Sequence, residues 1–77
     1  MNSKEQLKSI AAKVFGIDVS AYPKISMGEV KEWDSMNHLL LISEVEKEFR
    51  FKFTTQEVIE IKSLDDISTL MEKKGIN

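Results

Sequence analysis

Helix-starting signals constrain the fold of this sequence more than any other feature. At four places a serine, threonine or aspartate stands just ahead of apolar residues at helical spacing: Ser3, Asp34, Thr54 and Ser63. After three of these four, a glutamine or an acidic residue follows three positions later, which is capping-box spacing. Such side chains accept hydrogen bonds from N–H groups that the first helical turn leaves without partners. The sequence therefore predicts four helices.

The first predicted helix covers residues 4 to 15, with Ser3 as its cap. Gly16 follows as its stop, because glycine accepts the left-handed conformation that ends a helix. Its apolar residues recur at i, i+3, i+4, i+7 and i+8, the spacing of one helix face, and they are Leu7, Ile10, Ala11, Val14 and Phe15.

Residues 16 to 34 show no sustained periodicity and contain Pro23 and Gly28, so they are predicted to form a long loop. Loops of this length are uncommon in small domains and are usually functional or fixed by packing. Six apolar residues are available to fix it, and these are Ile17, Val19, Tyr22, Ile25, Val30 and Trp33. We interpret the loop as an ordered crossover.

The second predicted helix runs from Ser35 to about Phe49. On a helical wheel its core-facing residues are Leu41, Ile42, Val45 and Phe49. His38 lies on the same side, which predicts a partly buried histidine at the margin of the core. Leu40 and Met36 lie on the outer flank, so a small apolar strip beside Ser35 is expected to be exposed.

The last third of the chain predicts two more helices after an extended link that contains Phe51 and Phe53. A short third helix is expected over residues 55–61 and a fourth over residues 64–74. The fourth has a core stripe of Leu64, Ile67, Leu70 and Met71. The 77 residues of the chain are expected to form one domain, residues 1–77, in the all-α class.

Composition excludes several kinds of site. The chain has no cysteine and one histidine, which argues against disulfides and transition-metal sites. No apolar run approaches the roughly 20 residues that span a bilayer, and no signal-peptide core follows the first methionine, so a cytoplasmic protein without membrane contact is expected. Residues 35–61 hold three basic and five acidic side chains. This excess disfavours nucleic acid and favours a basic protein partner.

Ser35 is the candidate functional residue. Asp34 is a good N-cap, and Ser35 then falls in the first turn of the second helix. Free N–H groups and the positive end of the helix dipole favour a negatively charged substituent there, such as a phosphate.

The whole pattern resembles the acyl carrier protein family and its peptidyl-carrier relatives. The Asp34-Ser35-Met36 segment is similar to the family's Asp-Ser-Leu attachment motif, and it is followed by Leu39, Leu41, Ile42 and the acidic segment 44–49. Residues 51–54 and 61–67 lie where that family has its third helix and the start of its fourth. The resemblance covers nearly the whole chain and implies a four-helix bundle of acyl-carrier type.

The resemblance implies that Ser35 carries 4′-phosphopantetheine, transferred from coenzyme A by a phosphopantetheinyl transferase. The thiol of this arm would hold an acyl or aminoacyl group as a thioester and present it to acyl-loading and acyl-using enzymes. A carrier of this kind is not an enzyme, needs no metal and is expected to be a monomer. Asp34 and Met36, on either side of Ser35, would belong to the cofactor-binding site and would be recognised there by partner enzymes.

Further site residues follow from the same resemblance. The expected partner-binding residues are Met36, Asn37, Leu40, Glu44 and Lys47. The attached acyl chain is expected to fold back against Leu39, Ile59 and Ile61. Asn37 and Leu40 replace acidic residues of fatty-acid carriers, and Lys47 interrupts the acidic run. These departures favour a specialised stand-alone carrier of a secondary-metabolite or surface-glycan pathway, while fatty-acid synthesis stays open.

Other interpretations also stay open at this stage. Ser35 is an ordinary helix-start serine if its local sequence alone is considered. An unmodified helical adaptor would bind a basic protein partner through the acidic second helix. A serine hydrolase would pair Ser35 with His38 at i, i+3. Helix-turn-helix DNA binding is a further option, although Glu44, Glu46 and Glu48 stand where basic residues would be needed.

Overall fold

Four α-helices provide nearly all the regular structure in a computed structural model that describes residues 3–76. They are α1 (Ser3–Phe15), α2 (Ser35–Phe49), α3 (Thr55–Glu60) and α4 (Leu64–Lys73). Residues 3–76 contain no β-strand, so the prediction of an all-α fold is confirmed. No helix within this described range has both the length and the apolar character needed to cross a membrane.

The predicted caps of α3 and α4 are confirmed. Thr54 and Glu57 form a reciprocal capping box, with Thr54 Oγ1 accepting from the Glu57 N–H at 3.1 Å and Glu57 Oε1 accepting from the Thr54 N–H at 2.8 Å. Ser63 Oγ accepts from the Asp66 N–H at 3.1 Å. The Asp66 carboxylate does not complete a second box, because it accepts instead from the Lys62 N–H at 2.9 Å.

Three helix boundaries differ from the prediction by one residue. Ser3 lies inside α1 and is not its cap, so the capping position falls outside the described residues. Ile61 is the C-cap of α3, because its extended backbone (φ −70°, ψ 122°) ends the helix at Glu60. Lys74 is likewise the C-cap of α4, which ends at Lys73. Terminal turns fray, and apolar periodicity does not fix them to one residue.

The core joins all the longer helices to the first loop. Helix α1 packs against both α2 and α4. Fourteen buried apolar residues form the cluster, and they are Leu7, Ala11, Phe15, Ile25, Val30, Trp33, Leu41, Ile42, Val45, Phe53, Ile61, Leu64, Ile67 and Met71. The predicted core faces of α1 and α2 are confirmed, with Ile10, Val14 and Phe49 only partly buried at the edge.

The loop between α1 and α2 is ordered, as predicted, and contains one short 3-10 helix at Val19–Ala21. Asp18 caps this turn by accepting from both the hydroxyl and the N–H of Ser20. These two hydrogen bonds hold the pKa of the Asp18 carboxyl below its ordinary value, and the bond from the Ser20 hydroxyl has the larger effect. All six predicted apolar anchors of the loop pack on the core or lie within it.

Main-chain hydrogen bonds tie the middle of the loop to the link between α3 and α4. The Met27 N–H donates to the Lys62 carbonyl at 2.8 Å, and the Leu64 N–H donates to the Ile25 carbonyl at 3.0 Å. Together they form an isolated antiparallel bridge. The loop is therefore fixed at the α4 side of the bundle as well as at its own two ends.

Candidate functional site

Ser35 is the first residue of α2 and is exposed to solvent. Its hydroxyl has no hydrogen-bond partner among residues 3–76. The N–H groups of Ser35 and Met36 also lack a partner in this range, as is usual for the first residues of a helix. The helix start thus presents a free hydroxyl beside two free main-chain donors.

Residues on both sides of Ser35 fix the helix start. Asp34 has an extended backbone, and its Oδ1 accepts from the Asn37 N–H at 2.9 Å while its carbonyl accepts from the His38 N–H at 2.8 Å. Asn37 in turn donates through Nδ2 to the Glu32 carbonyl at 2.8 Å. The prediction of Asp34 as the N-cap is confirmed. The Asn37 side chain, which was predicted to contact partners, is half-buried and forms a hydrogen bond to the loop.

A second set of hydrogen bonds connects the loop, α2 and α3 through His38. The indole Nε1–H of Trp33 donates to His38 Nδ1 at 2.9 Å, and His38 Nε2 lies 2.8 Å from the Val58 carbonyl oxygen. Because Nδ1 is an acceptor, the proton must be on Nε2, which donates to Val58. Trp33 is buried and also contacts Phe15, with ring centroids 5.1 Å apart.

These hydrogen bonds confirm the predictions for Trp33 and His38, and they remove support from the serine hydrolase alternative. Trp33 anchors the end of the loop, and His38 lies partly buried at the margin of the core. A hydrolytic pair would need a free lone pair on His38 to accept the Ser35 proton. Both ring nitrogens are already engaged by Trp33 and Val58, so His38 has no lone pair left for this role.

Sequence reasoning missed the hydrogen bonds of His38. Trp33 and His38 are five residues apart, and Trp33 lies before the N-cap of α2, outside the helix. No helical periodicity therefore marks their hydrogen bond. The second partner of the His38 side chain is the main-chain carbonyl of Val58, which lies in a different helix. Main-chain acceptors leave no trace in the side-chain pattern of a sequence.

Large apolar side chains are exposed on α2, in the turns that follow Ser35, and on α3. Met36 is 74% exposed and Leu40 is 52% exposed, which confirms the predicted apolar strip. Leu39 and Ile59 are also exposed, at 62% and 63%. Ile61, by contrast, is buried in the core. Two surface depressions, of about 330 and about 420 Å³, are lined by other residues, so an acyl-chain site at Leu39, Ile59 and Ile61 stays a prediction.

The acidic face of α2 is weaker than its sequence indicates. Lys47 Nζ lies 3.4 Å from Glu44 Oε2, so two of the predicted partner-binding residues form an exposed ion pair with each other. Glu46 is partly buried, and its Oε2 accepts from the Phe53 N–H at 2.8 Å. One carboxylate is therefore partly neutralised, and another fixes the link after α2.

Helix α3, which supplies the Val58 contact, is held at its other end by an ion pair. Lys74 Nζ lies 2.9 Å from Glu57 Oε1 and connects the end of α4 to the first turn of α3. The hydrogen bond from the Thr54 N–H, followed by that from Lys74, lowers the pKa of Glu57 below its ordinary value. Both ends of α3 are thus fixed by side chains of neighbouring elements.

Comparison with known proteins gives no external assignment. No protein-family model matches this chain, and no curated protein matches it either.

Proposed function

We propose that this chain is a carrier protein of acyl-carrier type, in which Ser35 carries 4′-phosphopantetheine and the thiol of that arm carries an acyl or aminoacyl group. One observation carries the proposal: Ser35 offers an exposed hydroxyl without an internal hydrogen bond, at a helix start whose neighbours are held in place. The four helices and the long ordered loop support the finer assignment to an acyl-carrier bundle.

The residues at the helix start suit a phosphodiester. The N–H groups of Ser35 and Met36 are free to donate, and the positive end of the α2 dipole favours a negative charge. The carboxylate of the adjacent Asp34 has the same negative charge as a phosphodiester, and its Oδ1 accepts a hydrogen bond from the Asn37 N–H. The chemistry of the thioester belongs to the cofactor arm, so the chain itself needs only to hold and present it.

The surface around Ser35 supports recognition by partner enzymes. The apolar side chains of Met36 and Leu40 are exposed on the outer flank of α2, next to the attachment point. Glu44 follows Leu40 by one helical turn and is balanced by Lys47. A face of this kind offers apolar contacts with little net charge, which favours partners other than those that bind strongly acidic carriers.

Modification tests the proposal directly. The purified chain is incubated with coenzyme A and a broad-specificity phosphopantetheinyl transferase, and intact mass is measured. We expect the mass of one phosphopantetheine to be added, no addition to Ser35→Ala, and unchanged addition to Ser43→Ala, an exposed serine of the same helix. Failure of the unaltered chain to gain mass would refute the proposal, as would modification of Ser35→Ala.

The contact surface has its own test. Met36→Ala and Leu40→Ala should each lower kcat/KM for modification by about three- to tenfold, in the range of moderate interface residues. Ile59→Ala, which removes an equally exposed apolar side chain from α3, is the matched control and is expected to leave that rate unchanged. Equal effects of all three substitutions would remove the assignment of the surface to α2.

The acyl chain supplies a further test of the carrier proposal. If an attached chain folds back against Leu39, Ile59 and Ile61, acylation should shift the amide resonances of α2 and α3. Shifts confined to the arm itself would refute this contact but not the attachment.

The strongest alternative is an unmodified adaptor that binds a basic protein through α2. The same exposed residues, Met36, Leu39 and Leu40, favour a protein contact through α2, and the acidic residues of that helix are the reason to expect a basic partner. The two functions separate in the modification experiment, because an adaptor gains no mass and keeps its partner when Ser35 is replaced.

A further inference from the structure

A depression of about 330 Å³ lies between α1, the loop that follows it and the start of α4. None of its lining residues belongs to α2 or α3, the elements that carry Ser35 and its exposed apolar neighbours. Its volume falls at the low end of the 300–1,000 Å³ typical of small-molecule sites. The depression is therefore a separate candidate site.

The floor of this depression is apolar. Leu7, Ile25 and Leu64 line it while being otherwise buried in the core, and Tyr22 and Pro23 extend the apolar wall. The loop residues are fixed in this place by the main-chain bonds to the link before α4. The floor is part of the core, and the loop is hydrogen-bonded to the link before α4 at Ile25 and Met27, so the site needs little rearrangement to bind.

The rim of the depression is basic. Lys4, Lys8 and Lys24 line it, with Asp65 as the one acidic lining residue, so the local formal charge is +2 where the whole chain is −2. None of the three lysines forms an ion pair with another residue in the range 3–76. Lys4 and Lys8 are one helical turn apart, where like charges repel each other.

We propose that this lysine-rimmed depression binds a small organic anion, with one carboxylate or phosphate among the lysines and an apolar body on the floor. Lysine suits this geometry because its alkyl stem packs along apolar surface while its ammonium group reaches toward solvent and a bound anion. The excess of positive charge over a low-dielectric floor disfavours a cationic ligand. An uncharged apolar ligand would leave the local formal charge of +2 without a counter-charge from the ligand.

The test is a nuclear magnetic resonance titration of the ¹⁵N-labelled chain with octyl phosphate below its micelle-forming concentration. We expect saturable shifts of amides that line the site, such as Leu7 and Ile25, without shifts of α2. Lys8→Gln and Lys24→Gln should each weaken binding by about two- to fivefold, as expected for exposed charge pairs. Lys13→Gln, an exposed α1 lysine outside the depression, is the matched control and should leave affinity unchanged.

Three further ligands separate the parts of the proposal. Inorganic phosphate has the charge without the apolar body, octanol has the apolar body without the charge, and octyltrimethylammonium has the opposite charge. Each should bind at least tenfold more weakly than octyl phosphate. Binding should also weaken as salt is raised, because the rim is exposed and screened.

Several results would overturn the proposal. Octanol or octyltrimethylammonium binding as tightly as octyl phosphate would remove the role of the lysines, and so would equal weakening by Lys13→Gln. Binding only to anionic lipid vesicles, or no saturable shift in the millimolar range, would reject a site for a free small anion. Ser35→Ala should bind octyl phosphate unchanged, so this result is independent of whether Ser35 is modified.

Discussion

Replacement of His38 by alanine tests the hydrogen bonds that join the loop, α2 and α3. In the folded chain His38 accepts from the Trp33 indole at 2.9 Å and donates to the Val58 carbonyl at 2.8 Å. Trp33 is only 3% exposed, so its N–H has little access to water once the imidazole is gone. Val58 is partly exposed, and its carbonyl is more readily satisfied by solvent.

The expected loss of stability follows from the burial of Trp33 and the partial exposure of Val58. An orphaned buried donor costs about 1–3 kcal/mol, and the more accessible carbonyl adds less. Loss of the imidazole also removes its stacking on Trp33, where the ring centroids are 6.0 Å apart. We expect His38→Ala to lower the free energy of unfolding by about 2–3 kcal/mol, which for a domain of this size lowers Tm by roughly 8–24 °C. His38→Gln, which keeps an acceptor and a donor, should lose less.

Urea denaturation followed by far-UV circular dichroism measures these changes without relying on tryptophan fluorescence. Trp33→Phe removes the indole donor, so the double variant should cost less than the sum of the two single variants, by at least about 1 kcal/mol. Leu40→Ala is the control from the exposed flank of α2 and should cost under about 0.5 kcal/mol. Additive effects of His38→Ala and Trp33→Phe would refute the hydrogen bond as a source of stability.

Three further stability predictions use the same denaturation assay. The pKa of Glu57 is lowered by the hydrogen bond from the Thr54 N–H and then by Lys74, so the folded state binds fewer protons than the unfolded state. The free energy of unfolding should therefore fall as pH drops below about 4.3, and it should fall less in Glu57→Gln. An equal fall in both proteins would refute this prediction. Leu41→Ala should cost about 2–5 kcal/mol because Leu41 is fully buried, and a cost under about 1 kcal/mol would contradict its place in the core. Arg50→Gly should stabilise by about 0.5–1 kcal/mol because Arg50 has a φ of 57°, and a loss of stability would contradict the idea that this backbone conformation is strained.

The helices were predictable because their signals are local. The Thr54 box and the Ser63 cap depend on residues three positions apart, and the core face of α2 depends on a repeat within one helix. The exposure of Met36 and Leu40 followed from the same repeat. Each of these predictions uses only the geometry of a single helix, which the sequence specifies directly.

Three features that sequence reasoning missed join different elements. The Glu46 carboxylate appeared as part of an acidic face, but it accepts from the Phe53 N–H seven residues later. The Glu57–Lys74 ion pair spans two helices. The lysine-rimmed depression forms only when the loop packs beside α1 and the start of α4. Such placements depend on tertiary packing, for which a single sequence offers no periodic signal.

Helix α3 shows why these connections matter for the Ser35 site. It has six residues, too few to be stable as an isolated helix in water. Its conformation therefore depends on groups outside it: Lys74 at the first turn and His38 at the last. His38 belongs to the first turns of α2, whose start is the candidate attachment point. A change that moves the start of α2 must strain or break the bond to Val58, so the position of α3 is coupled to the segment that carries Ser35, without any direct contact between Ser35 and α3 being required.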